Sequence, residues 1–90
     1  MLQKQNKYDR KGDKEMDELL EVLEGLKPEV DFVNEKALVD DEILDSFDII
    51  AILHEINSAF EVGITVADLL PENFNSLEAI WELVQKAKEA

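Results

Sequence analysis

Asp45-Ser46-Phe47-Asp48 is the stretch of this chain whose residue types best suit chemistry. Ser46 places a hydroxyl at the mouth of a strongly apolar segment. Residues 47–60 (FDIIAILHEINSAF) contain no Gly, Pro, Lys or Arg, so a helix can run on from Ser46 without a breaker. The start of a helix exposes unpaired N–H groups and a partial positive charge. Two roles suit a residue there. Ser or Asp can cap the helix by accepting a backbone N–H. The same end also suits a phosphate attached to the serine.

Other chemistry is thinly supplied. His54 is the single histidine. It lies two helical turns from Ser46, roughly 12 Å at 1.5 Å per residue, too far for a nucleophile–base hydrogen bond. A surface or docking role suits it better. Asp40, Asp41, Glu42, Asp45 and Asp48 form an acidic run, but the alternating ligands, central Gly and closing Glu of a calcium loop are missing. There is no Gly-rich phosphate loop and no zinc motif. The chain has no cysteine, so disulfides and thiolate metal sites are excluded and the polypeptide has no thiol of its own.

The elements that must position Ser46 follow from periodicity. Residues 1–15 lack apolar periodicity and read as a disordered leader, native or appended, ahead of one domain spanning residues 16–90. Met16, Leu19, Leu20, Leu23 and Leu26 fall at helical spacing; Gly25 weakens the end of that helix and Pro28 stops it. Residues 28–44 form a long connection, which Phe32, Leu38, Ile43 and Leu44 should pin to the core. The Ser46–Phe60 helix follows and should end near Gly63. Residues 66–70, introduced by Thr65 and halted by Pro71, read as a turn or two of helix. Asn75 and Glu78 have the spacing of a capping box. Leu77, Ile80, Trp81 and Val84 form the apolar stripe of a last helix, with Lys86 and Lys88 suited to its C-terminal end. No segment alternates over a strand length. The expected fold is all-α: a small four-helix bundle of three longer helices and one short one, with a long first connection.

The Ser46 helix is apolar on two sides. Ile49, Ile52, Leu53, Ile56 and Phe60 share about 100° of arc and form the core face. Asp48 and Glu55 mark a wet edge. Ser46, Phe47, Ile50, Ala51, His54, Asn57 and Ser58 occupy the rest, an arc poor in charge. Either Phe47 and Ile50 tuck under the long connection, or they rim an exposed docking patch beside Ser46.

Composition narrows the partners. The chain of 90 residues has a net charge of −13. Residues 1–15 carry +2 of it and residues 16–90 carry −15. So acidic a domain should repel nucleic acid and anionic membrane surfaces, and attract partners with basic patches. The apolar runs are too short to span a bilayer and no secretory segment is visible. A cytoplasmic monomer is expected.

Together these features resemble the acyl carrier protein family over residues 16–90. The resemblance rests on the opening helix, the long pinned connection and Leu44-Asp45-Ser46-Phe47-Asp48. It also rests on the apolar helix closing at Phe60-Glu61, the Ile64 segment with its short helix, and the Ser76–Ala87 helix. It implies that Ser46 carries 4′-phosphopantetheine, installed from coenzyme A by a magnesium-dependent phosphopantetheinyl transferase. The arm would supply the thiol that the chain lacks, and acyl or aminoacyl groups would ride on it as thioesters. Asp45 would help engage the transferase. Phe47, Ile50 and His54 would face visiting enzymes: a loading ligase and downstream transferases or synthases of fatty acid, polyketide or related biosynthesis. The chain would itself catalyse nothing.

Two departures refine this. Carriers of fatty acid synthesis usually have a strongly acidic second helix, whereas Ala51, Asn57 and Ser58 stand here where acids would be expected. Docking should therefore depend less on salt-sensitive attraction. Such carriers also tend to have a Gly-containing approach to the serine. Ile43-Leu44-Asp45-Ser46-Phe47 looks more like D-alanyl carriers and other stand-alone carriers, which makes an aminoacyl carrier of cell-wall or specialised pathways the alternative. From a different class, an acidic helical adaptor without a prosthetic group also accounts for the composition.

Overall fold

The computed structural model describes residues 11–89, with side chains from Glu15 onward. Among these residues there are four α-helices and no strand: α1 (Lys11–Leu26), α2 (Ser46–Phe60), α3 (Pro71–Phe74) and α4 (Leu77–Glu89). A short 3-10 turn, Val66–Asp68, lies between α2 and α3. No helix among the described residues is long and apolar enough to cross a membrane.

Helix α1 begins at Lys11, earlier than the expected start at Met16. Residues 11–15 are thus helical, and the rest of the expected leader, residues 1–10, lies outside the described part. The apolar stripe first appears at Met16 because residues 11–15 (KGDKE) include no apolar residue that could mark a helical period. The helix stops at Leu26, ahead of Pro28, as the missing N–H of proline requires.

Apolar periodicity translates directly into burial. Leu19 and Leu23 of α1, Ile52 and Ile56 of α2, and Leu77, Ile80, Leu83 and Val84 of α4 are buried. Phe32, Leu38 and Leu44 of the long connection join them, and Ile43 packs against the same cluster. Each such side chain contributes about 2 kcal/mol by leaving water. Ile64 and Phe74 complete the core. Phe74 is fully buried although it sits between two asparagines, in a stretch with no helical stripe.

Helix α1 packs on both α2 and α4, and α3 packs on α4. Lys27, just past the end of α1, reaches Asp48 at the start of α2. Lys88, near the end of α4, reaches Glu15 at the start of α1 and lies 5.9 Å from the centre of the Phe60 ring at the end of α2. Helix α1 therefore runs opposite to both α2 and α4.

Three local expectations need correction. Pro71 does not halt a short helix over 66–70; it opens α3 from the first helical position, where its missing N–H costs nothing. Residues 66–68 form only the 3-10 turn, closed by a reciprocal Thr65–Asp68 capping box. Helix α2 spans Ser46–Phe60 as expected, but its stop is made by Glu61 rather than by Gly63: Glu61 takes the left-handed conformation (φ 56°) and its N–H donates to the Asn57 carbonyl. Asn75 is not the cap of α4. Ser76 is, its Oγ accepting the Ala79 N–H at 3.1 Å.

Candidate functional site

The start of α2 is built by a relay of hydrogen bonds from the far end of the chain. The Asn75 carbonyl accepts the Leu38 N–H at 2.8 Å. Asn75 Oδ1 accepts the N–H groups of Val39 (2.9 Å) and Asp40 (3.0 Å), and its Nδ2 donates to Asp40 Oδ2 at 3.1 Å. The Leu38 carbonyl in turn accepts the N–H groups of both Ile43 and Leu44 at 2.9 Å. These bonds fold residues 38–44 into a closed turn, with Glu42 in the left-handed region (φ 60°). Leu44 then plunges into the core. The chain leaves this turn at Asp45, in an extended conformation.

Asp45, not Ser46, is the helix cap. Its Oδ1 accepts the Asp48 N–H at 2.9 Å, and Asp48 Oδ2 accepts the Asp45 N–H at 3.1 Å. This reciprocal pair satisfies two backbone groups at the helix start. Ser46 is the first residue of α2. It is exposed, and among the described residues its hydroxyl has no hydrogen-bond partner. A serine acting as the cap would have its oxygen engaged with the backbone. Because Asp45 takes that role, the Ser46 oxygen is open to an incoming reagent.

Exposure separates the two arrangements open to Phe47 and Ile50. Phe47 is 82 % exposed and Ile50 is 53 % exposed, so neither tucks under the long connection. Ala51, His54 and Ser58 are exposed on the same helix. The opposite side turns Ile52 and Ile56 fully inward, with Ile49, Leu53 and Phe60 packed at its borders. Asn57 departs from the expected exposed arc. It is half-buried, its Nδ2 donating to the Ile64 carbonyl and its Oδ1 accepting the Ile64 N–H, both at 2.9 Å. It tethers the segment after α2 rather than serving the surface. Val66 (76 %) and Leu70 are further exposed apolar residues, in the segment between α2 and α3.

The charge beside the serine is mixed in one respect. Asp40, Asp41, Glu42 and Asp45 are exposed. Asp48 is half-buried and lies 3.4 Å from the Lys27 ammonium, which also reaches Glu29 at 3.2 Å. The hydrogen bond to Glu29, and after it the single contact with Asp48, raise the Lys27 pKa above that of a free lysine. Sequence alone does not mark Lys27 as a site residue, since nothing in a linear reading places it against residue 48.

The acidic run gathers no metal site: among the described residues no group of three or more His, Asp or Glu side chains is arranged to hold an ion. A groove of about 750 Å³ lies at the other end of α2, lined by residues including Phe60, Gly63, Leu83 and Lys86. Ser46 and Phe60 are separated by about 21 Å of helix at 1.5 Å per residue, so the groove and the serine form separate places on the molecule.

The structure thus brings Asp45, Ser46 and Phe47 together at one helix start, with Ile50 and His54 on the following turns. His54 is not placed as a base for Ser46. No protein-family model matches this chain, and no curated protein matches it.

Proposed function

We propose that this protein is an acyl or aminoacyl carrier, holding its cargo as a thioester on a 4′-phosphopantetheine arm attached to Ser46. One observation carries the reading: Asp45 caps α2 and leaves the Ser46 hydroxyl exposed and unengaged on the first helical turn. The site fits the group. A phosphodiester on Ser46 would stand at the positive end of a 15-residue helix. When bound, the arm would supply a thiol to a chain that has none. The exposed serine oxygen would attack the phosphorus of coenzyme A that bears the pantetheine arm. A P–O bond forms there, the pyrophosphate bond breaks, and the nucleotide half departs. The serine proton would pass to a base of the transferase; among the described residues His54 lies two helical turns away, roughly 12 Å at 1.5 Å per residue, and is not placed to take it.

Asp45 beside the serine, with Phe47, Ile50 and His54 along the exposed side of α2, serves as the face read by the transferase, the loading ligase and the enzymes that accept the cargo. Its centre is apolar, which favours partners with apolar pockets and sets this chain closer to stand-alone carriers, D-alanyl carriers among them, than to those of general fatty acid synthesis. We further propose that the four helices form the compact bundle of such carriers, working as a cytoplasmic monomer.

Intact mass after incubation with a phosphopantetheinyl transferase, magnesium and coenzyme A tests this. The wild type should gain one phosphopantetheinyl group and Ser46→Ala none. An unmodified wild type, or equal gain in the variant, refutes the proposal.

A further inference from the structure

We propose that Lys27 is a positioning residue for Ser46. It locks the Asp45–Asp48 capping box from the neighbouring helix and moderates the acidic charge where an anionic reagent must approach. The inference rests on the carrier reading for its consequence, but its physical basis is independent of that reading.

The Asp48 carboxylate is divided between two tasks. Oδ2 accepts the Asp45 N–H at 3.1 Å, while Oδ1 faces the Lys27 ammonium at 3.4 Å. An aspartate side chain turns easily about its last bond, so one contact alone does not fix both oxygens. With the second oxygen held by Lys27, the first stays aimed at Asp45. The Asp45 backbone is then fixed, its own Oδ1 stays on the Asp48 N–H, and Ser46 between them keeps one orientation. The pair is largely shielded from water, with 27 % of the Lys27 side chain and 19 % of the Asp48 side chain exposed. Screening by solvent is correspondingly weaker than for a fully exposed pair.

Lys27 is well held for the task. It follows directly on the rigid α1, its N–H donating to the Leu23 carbonyl at 2.9 Å and its carbonyl accepting the Val30 N–H at 3.1 Å. Glu29 flanks the ammonium on its other side at 3.2 Å. The other lysines with described side chains lie elsewhere: Lys36 pairs with Glu78, Lys88 pairs with Glu15, and Lys86 lines the groove beyond Phe60. Lys27 is thus the ammonium that the fold brings to the capping box, in a region otherwise lined by carboxylates. A coenzyme carrying several phosphates would meet Asp45, Asp48 and the 40–42 acids with one of them already offset.

Two measurements test this on full-length Lys27→Met, Lys27→Gln and Lys27→Arg. The first is hydrogen exchange of the Asp45 and Asp48 amides by NMR, which needs no modification chemistry. Exchange at both should rise about threefold in Lys27→Met and Lys27→Gln, the scale of one modest ion pair, with protection in the buried part of α4 unchanged. The second is the rate of phosphopantetheine attachment under limiting coenzyme A. kcat/KM should fall about threefold or more in Lys27→Met, chiefly through KM for coenzyme A, and Lys27→Arg should restore it. Wild-type exchange at both amides in Lys27→Met and Lys27→Gln overturns the clamp. Wild-type attachment rates in those variants overturn its functional consequence. An unmodified wild type would instead refute the carrier reading and leave the exchange measurement to decide the clamp. If Lys27→Met folds poorly, Lys27→Gln, which keeps a polar but uncharged side chain, carries both measurements.

Discussion

The two sides of α2 are made from similar residues and do opposite things. On one side Ile52 and Ile56 are fully buried against α1 and the rest of the core. On the other, Phe47 and Ile50 stand in water. Hydrophobicity alone does not separate Ile50 from Ile52, which are two positions apart on the same helix. Geometry does: two residues turn the helix by about 200°, so one points inward and the other outward. The contrast teaches that apolar character on this helix has two sources, core formation on one side and retention of an exposed apolar surface on the other. An outward surface built only for solubility would carry Lys and Glu instead.

Substitutions should separate the two sides by their cost. The largest loss is expected from Ile56→Ala, about 3 kcal/mol from lost burial and the cavity left behind, measured by urea unfolding. A loss below about 1 kcal/mol would mean that the inward side is not packed as described. Next, Asn57→Ala should cost about 2 kcal/mol, because it strips both partners from the buried Ile64 backbone. A neutral result would return Asn57 to the exposed arc that periodicity suggested. Asp45→Ala should cost about 1 kcal/mol through loss of the cap, and Asp45→Asn should recover most of it. At the small end, Phe47→Ala should change stability by about 0.5 kcal/mol or less while strongly weakening binding of the proposed partner, a phosphopantetheinyl transferase, read by titration calorimetry. Equal losses of stability in Phe47→Ala and Ile56→Ala would erase the distinction between the sides.

A last, smaller effect concerns the scaffold behind the serine. The Lys36 ammonium, 2.9 Å from Glu78, holds that carboxyl below its ordinary value of 4.5. Hydrogen bonds from Asn34 likewise lower Asp31. A carboxylate with a depressed folded-state pKa contributes its stability in full above the unfolded value, and loses it as pH falls through the folded one. Acid should therefore weaken these ties only below about pH 4.5. In Lys36→Met the Glu78 titration followed by NMR should move up toward 4.5, with a stability change of a few tenths of a kcal/mol, as for exposed pairs.

Much of this arrangement is legible in the order of residues alone. The stripes of α1, α2 and α4 mark the core because a 3.6-residue period has one inward side. Phe32, Leu38 and Leu44 stand out as apolar residues in a connection otherwise too long to be loose. What stays hidden is decided by contacts distant in sequence. Asn75-x-x-Glu78 reads as a capping box, yet the Asn75 amide serves Val39 and Asp40, and Glu78 serves Lys36. Phe74 is core although no stripe surrounds it, because α3 is a single turn. At the serine the local signal is present in another form: Asp45-x-x-Asp48 has capping-box spacing, which leaves Ser46 without that duty. The exposure of Phe47 does not follow from periodicity, because whether the long connection covers it depends on how that connection folds.

The Lys88–Glu15 contact, 2.7 Å long, has a topological consequence. It brings the first turn of α1 beside the last turns of α4, while Lys27 and Asp48 mark the opposite pole, where the serine lies. Joining the two helix ends with a short flexible linker and cutting the chain in the exposed segment around residues 66–70 should give a circularly permuted protein that keeps the same core. By the same geometry, the start of α1 and the end of α4 both lie at the pole away from Ser46. On the carrier reading proposed above, the serine pole would remain open to one enzyme after another.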